Sequence, residues 1–261
     1  MAQLRCLNAM KMHCDIQKFL TIIALAVVLV GCGSRGGKLP DFAAIEDVSL
    51  MKQSFYSYLY PIVAEENARI LEQRDTVGTI REVFDTGQEP GWLQRRALKA
   101  LAKEYEVEWE RDNVAGVTKA LWRRVDVIPA ELALVQAAKE SGWGRSRFAV
   151  EVNNLFGHWC YEPGCGVVPN RRSAGAGHEV AAFDSVSESV RRYMNNLNTH
   201  DRYAPMRLLR QERRSQDQGV TGVALAPGLT AYSERGEPYV QEVISMIEQN
   251  KALLYDAAPQ G

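Results

Sequence analysis

The chain has 261 residues, 46% hydrophobic and 24% charged, which excludes a disordered or collagen-like polymer and fits one large globular domain or two modest ones. Lys and Arg number 31 against 32 Asp and Glu, a formal net charge of −1, and no long basic run is present, so nothing electrostatic recommends a nucleic-acid partner. Five cysteines are too few for a disulfide scaffold.

The N-terminus reads as an address. Arg5, Lys11 and Lys18 precede a predominantly apolar run from Phe19 to Val30. As a helix it would rise about 18 Å, short of a bilayer core of about 30 Å. A basic segment, a short apolar segment and small residues after it describe a secretory signal peptide over residues 1–31. The run ends in Leu29-Val30-Gly31-Cys32-Gly33-Ser34, which resembles a bacterial lipobox. The resemblance implies that Cys32 is acylated and holds the protein on a membrane, and Gly33 implies the periplasmic side of the outer membrane. Residues 32–39 would then be a lipidated tether, and loss of the leader leaves 28 cations against 31 carboxylates, net −3.

Residues 40–125 read as a helical region. Phe55, Leu59, Ile62 and Val63 recur at spacings of three and four, as do Leu98, Leu101, Ala102 and Tyr105, and Gly87-Gln88-Glu89-Pro90-Gly91 divides the region in two. A second domain spans 126–255. Its first helix opens at Pro129, runs through Ala130 to Glu140 and stops at Ser141-Gly142. Asn153 to Asp184 is rich in Gly, Pro and Asn, with His178 to Phe183 as its best strand. Ser185 and Glu188 form a capping box for a helix through Val190, Tyr193 and Leu197. A last amphipathic helix covers about Pro238 to Leu254. The fold class is mainly α (α+β), helices around one small β-rich lobe.

Glu140 is the leading chemical candidate. On a helix it shares a face with Ala133, Gln136 and Ala137, and it occupies the last turn, where the backbone dipole is negative. Both surroundings disfavour a carboxylate and raise its pKa, as a general acid requires. By position alone, a solvated glutamate at a helix end is the commoner explanation.

The surrounding text shifts that balance. Gln136-Ala137-Ala138-Lys139-Glu140-Ser141-Gly142-Trp143-Gly144-Arg145-Ser146-Arg147-Phe148-Ala149, followed by Asn153-Asn154-Leu155-Phe156-Gly157, resembles the N-acetylglucosaminidase domain of bacterial autolysins and flagellar peptidoglycan hydrolases. Trp159-Cys160, Gly164-Cys165-Gly166, His178-Glu179-Val180 and Tyr232-Ser233-Glu234-Arg235-Gly236 with Tyr239 resemble its Bax-type branch. The resemblance implies a lysozyme-like α-lobe and β-lobe, a glycan strand of peptidoglycan as partner, Glu140 as catalytic acid and no cofactor. It also implies a cleft tyrosine, Tyr232 or Tyr239, because the spacing departs from the autolysin pattern. Trp143, Asn154, Phe156 and Trp159 are the expected substrate-binding residues, with core packing an equal explanation for Phe156.

For a second catalytic carboxylate the candidates are Glu162, Glu179 and Asp184, and Glu179 is preferred because alternation on the strand would aim it inward. Cys160 and Cys165, flanked by His158 and His178, could hold zinc by ligand type, but a secretory context favours a disulfide. The expected molecule is a monomeric glycoside hydrolase without metal. A lytic transglycosylase, a muramidase and a non-catalytic wall-binding lipoprotein are the alternatives.

Overall fold

The computed structural model describes residues 39–170 and 177–258. The leader, Cys32 and the tether as far as Lys38 lie outside the described residues. Among those described, no helix is long and apolar enough to cross a membrane.

Asp47 caps the first long helix, accepting the Leu50 N–H at 2.7 Å, and α1 (Val48–Asp85) then runs unbroken through Pro61. Its buried face carries Phe55, Tyr56, Leu59, Val63, Ile70 and Val77, and α3, α4, α6 and α10 pack along it. The N-terminal region holds three helices rather than two: α1, α2 (Trp92–Glu104) and α3 (Val114–Arg124). The additional break falls at Glu106, which adopts a left-handed backbone (φ 54°) although it is not glycine. Arg124 steadies this turn by donating to the carbonyls of Tyr105 and Glu106, each at 2.8 Å.

The helix carrying Glu140 is α4 (Ala130–Ser141), capped by Pro129 and buried along Leu132 to Ala138. A short α5 (Arg147–Val152) leads to three small strands, β1 (Trp159–Cys160), β2 (Gly166–Val167) and β3 (Glu179–Ala181). They form an antiparallel sheet in the order β1-β3-β2, so the anticipated strand becomes the middle one. Gly166 is required there, since a Cβ would lie 1.9 Å from the Val180 carbonyl oxygen. Helices α6 (Val186–Thr199), α7 (Ala204–Ser215) and α8 (Gly222–Leu225) follow, then a 3-10 segment (Ala226–Tyr232). The expected last helix is two, α9 (Glu237–Gln249) and α10 (Lys251–Ala257). Asn250 separates them: its side-chain amide turns back to the Met246 carbonyl at 2.8 Å, competing with the backbone ladder.

One core runs from Leu39 to Leu254 across Asp126 without interruption. Polar ties reinforce it. Asn67 on α1 exchanges two hydrogen bonds with the Ile128 backbone, at 2.8 and 3.1 Å, and so fixes the entry to α4. Fully buried Arg210 donates to the carbonyls of Arg123, Arg124, Asp126 and Val127 and thereby caps the negative end of α3. Buried Asp126 takes both ends of Arg214 at 2.7 Å, with Arg74 at 3.4 Å and Arg210 at 3.7 Å.

Burial alone would raise the Asp126 pKa, but the Arg214 hydrogen bonds and the charges of Arg210 and Arg74 hold it below the usual aspartate range. Its stabilisation is therefore complete above that range and fades as pH falls through the lowered folded value. Asp126→Asn should cost about 3–5 kcal/mol in urea unfolding near pH 7, because three arginines lose their one carboxylate. A cost under about 1 kcal/mol would show that this cluster does not tie α1, α3 and α7 together.

Candidate active site

Glu140 is the penultimate residue of α4, and the turn after it sets its position. Gly142, Trp143 and Gly144 all take left-handed backbones, φ 57°, 63° and 74°. The Ser141 hydroxyl holds this turn, donating to the Ala137 carbonyl at 2.6 Å and accepting the Gly144 N–H at 2.7 Å. A Cβ at Gly144 would meet the Phe42 ring at 2.8 Å. The Ser-Gly-Trp-Gly sequence thus ends the helix abruptly beneath the carboxyl.

Four side chains from three helices form a hydrogen-bonded row. The Tyr193 hydroxyl, on α6, donates to Gln136 Oε1 at 2.6 Å. Gln136 Nε2 donates to the Tyr239 hydroxyl oxygen, on α9, at 2.9 Å, and that hydroxyl donates to Glu140 Oε1 at 2.9 Å. Tyr193, Gln136 and Tyr239 are all buried, whereas Glu140 keeps an open side. Because every donor points the same way, the Tyr239 proton is committed to the carboxyl. Glu140 Oε2 has no protein partner among the described residues, so it is the oxygen free to carry a proton to an incoming group.

The pKa values follow from this environment. The protein crowding Glu140 raises its pKa, and the Tyr239 hydrogen bond and the Lys139 charge oppose the rise without cancelling it. Burial, and then the Glu140 charge, push Tyr239 upward, so it stays a neutral donor. Burial does the same for Tyr193 and Tyr232.

The two candidate tyrosines sit differently relative to Glu140. Tyr239 touches the carboxyl. Tyr232 lies behind it, stacked at 5.3 Å between ring centroids, with its hydroxyl donated to the Phe156 carbonyl at 3.4 Å. The seam of α4 and α9 is also clamped by charge: Glu242 on α9 pairs with Lys139 beside Glu140 and with Arg235 in the turn before α9. These two cations hold the Glu242 carboxyl well below the usual range.

Other expected site residues are placed differently. Phe156 is buried and stacks on Tyr193 at 3.9 Å, so its ring offers no face to a ligand. Asn154 is buried too, and its amide is spent on the backbone of His158 and Ala181. Trp143 packs edge-on against Phe55 and Tyr56 of α1, at 5.9 and 5.2 Å. Trp159 is 56% exposed and stacks in parallel with His178 at 4.0 Å, which leaves it open to a ligand.

Glu179 points inward, as alternation suggested, but into its own lobe. Its carboxylate accepts the N–H groups of Gly164 at 3.1 Å and Gly166 at 2.9 Å, bracing the loop that the Cys160–Cys165 disulfide closes. Both sulfurs lie within 4.8 Å of that carboxylate, but as a disulfide they supply no thiolate for a metal. His158 is half-buried beside Phe156 and Phe183, and the burial of its ring and nearby Arg192 lower its pKa to about 4. Asp184 donates its N–H to Glu188 in the capping box, and Glu162 is exposed.

The family model described as glucosaminidase, mannosyl-glycoprotein endo-β-N-acetylglucosaminidase, matches residues 115–252. Protein bax of Escherichia coli (strain K12) is 33% identical over 221 residues, 85% of this chain and 77% of that one. The chain is a Bax-type member of the glucosaminidase-domain family. A solved structure titled peptidoglycan hydrolase, from Sphingomonas sp. A1, aligns with 55% of this chain and 89% of its own at 24% identity and a TM-score of 0.39. Glu140, Gln136, Tyr193 and Tyr239 all lie within the matched residues 115–252. Gln136 and Tyr193 went unassigned in the sequence; the signal for Gln136 was a polar residue one turn from Glu140 on an otherwise apolar face.

Since the Tyr239 hydrogen bond favours the charged carboxylate, Tyr239→Phe should raise the Glu140 pKa, read by carbon NMR titration of its side-chain carboxyl. An unchanged or lowered value would mean that the bond does not bear on Glu140.

Proposed function

We propose that this protein cleaves the glycan strand of peptidoglycan as an endo-β-N-acetylglucosaminidase, with Glu140 as the general acid. The observation that carries the reading is the open, raised-pKa Glu140 carboxyl whose Oε1 is held by Tyr239 while Oε2 stays available. A protonated Oε2 gives its proton to the glycosidic oxygen as the C1–O bond breaks, and the resulting carboxylate is stabilised by the Tyr239 hydroxyl. Trp159, on the β-lobe, supplies an exposed aromatic face for a sugar ring. The run from Gln136 to Ala149 and its likeness to autolysins support a cell-wall glycan as substrate. With the lipobox at Cys32, the protein would work as a lipid-anchored monomer on the periplasmic side of the outer membrane.

One observation favours a second reading of the mechanism. Glu179 is committed to the backbone of its loop, which suits a reaction that needs no second enzyme carboxylate. In one such route the substrate's acetamido oxygen attacks C1 and water later opens the ring so formed. In another, the C6 hydroxyl of the ring being cleaved attacks its own C1 as the C1–O bond breaks, gives its proton to the Glu140 carboxylate and leaves an anhydro end, as in a lytic transglycosylase.

The test is digestion of purified peptidoglycan by the full chain in non-ionic detergent, with product ends read by mass spectrometry beside Glu140→Gln. The expected products are reducing N-acetylglucosamine ends, with the variant slowed about 10²–10⁴-fold. Anhydro ends would make it a transglycosylase, and reducing N-acetylmuramic ends a muramidase. No cleavage of wall that a control enzyme digests would leave a wall-binding lipoprotein.

A further inference from the structure

A cavity of about 550 Å³ opens between α1, α3 and α7, at the opposite end of α4 from Glu140. Asp126 lines it, just before α4 begins, and α4 itself sets the two regions on the order of 18 Å apart. The size is that of a small-molecule site rather than of a macromolecular surface.

Its charge is one-sided. Six cationic side chains line the cavity against two carboxylates, Asp85 and Asp126. At the base, Arg74, Arg210 and Arg214 all share Asp126. Burial lowers the pKa of both Arg74 and Arg210; the Asp126 charge opposes the fall, and the neighbouring cations add to it. Around the opening stand Arg81, Lys119 and Arg123. Among the described residues, none of these three has a carboxylate within ion-pair distance; Arg123 is held by the Gln211 amide oxygen at 2.9 Å. Trp122 forms one wall and orients two guanidinium groups, Arg74 at 3.7 Å and Arg81 at 4.3 Å from its ring centroid. A flat stacked guanidinium beside a free ammonium suits a carboxylate or phosphate.

We propose that this cavity is a binding site for a small, multiply charged oxyanion bearing carboxylate or phosphate groups, distinct from the Glu140 site. The ligand would complete the charge balance that Asp126 begins and bridge α1 and α3 to α7.

Calorimetric titration of the full chain in non-ionic detergent, with citrate and with pyrophosphate as probes, tests the proposal. Saturable binding is expected, weakened at least about tenfold in Arg81→Gln/Lys119→Gln, since two charge-assisted contacts are lost. The control, Lys99→Gln/Lys103→Gln, removes the same charge from the exposed side of α2 and should change affinity less than about twofold. Tighter citrate points to carboxylates as the natural source and tighter pyrophosphate to phosphates; either outcome upholds the site. Glu140→Gln should bind both probes as the native protein does, which keeps this test independent of the catalytic reading. Equal weakening in the two double variants, or no saturable binding of either probe, would overturn the proposal.

Discussion

The 2.9 Å hydrogen bond from Tyr239 to Glu140 joins residues 99 positions apart, and the arrangement around Glu140 depends on it. It seats α9 against α4, and it assigns the two carboxyl oxygens different work. Two opposing forces meet at this carboxyl. Crowding by protein favours the neutral acid, while the tyrosine and Lys139 favour the anion. The net effect is a pKa raised above the ordinary glutamate value, and the tyrosine is ready for the charge that forms once a proton leaves.

The surroundings keep that bond from relaxing. Gln136 fixes the donor direction of Tyr239, Tyr193 fixes Gln136, and the stack of Phe156 on Tyr193 backs the row with apolar contact. The Lys139–Glu242–Arg235 cluster closes the seam from outside, where solvent screening makes it the weaker fastening. Beneath it, the left-handed turn at Gly142-Trp143-Gly144 is packed by Phe42, Phe55 and Tyr56. The helical N-terminal region therefore shapes the site: α1 supplies the wall on which the turn rests.

Much of this was legible in the sequence, and the rest was hidden for identifiable reasons. Apolar spacing on α1, α4 and α6 is strong because each buries a full face, and the capping box and the Gly142 stop mark their ends chemically. The break at Glu106 carried no glycine or proline, and Asn250 breaks the last helix through its side chain, so neither showed in a periodicity. Glu140 was visible from its face and position. Tyr239 was one of two candidate tyrosines; that it rather than Tyr232 meets the carboxyl, and that Tyr193 joins the row through Gln136, depends on tertiary packing. Aromatic and amide residues near the motif looked like ligand contacts, yet Phe156, Asn154 and Trp143 proved to hold the scaffold. The inward aim of Glu179 was readable from alternation; its acceptance of two loop N–H groups was not.

The pH dependence of kcat/KM for wall cleavage tests the central claim most directly, because it reports the protonation state of the free protein's essential acid. An acid held as Glu140 is held gives an alkaline limb whose apparent pKa lies above the ordinary glutamate value of about 4.3. A limb at or below that value, or a rate that stays flat through the carboxyl range, would contradict the assignment of Glu140 as the proton donor.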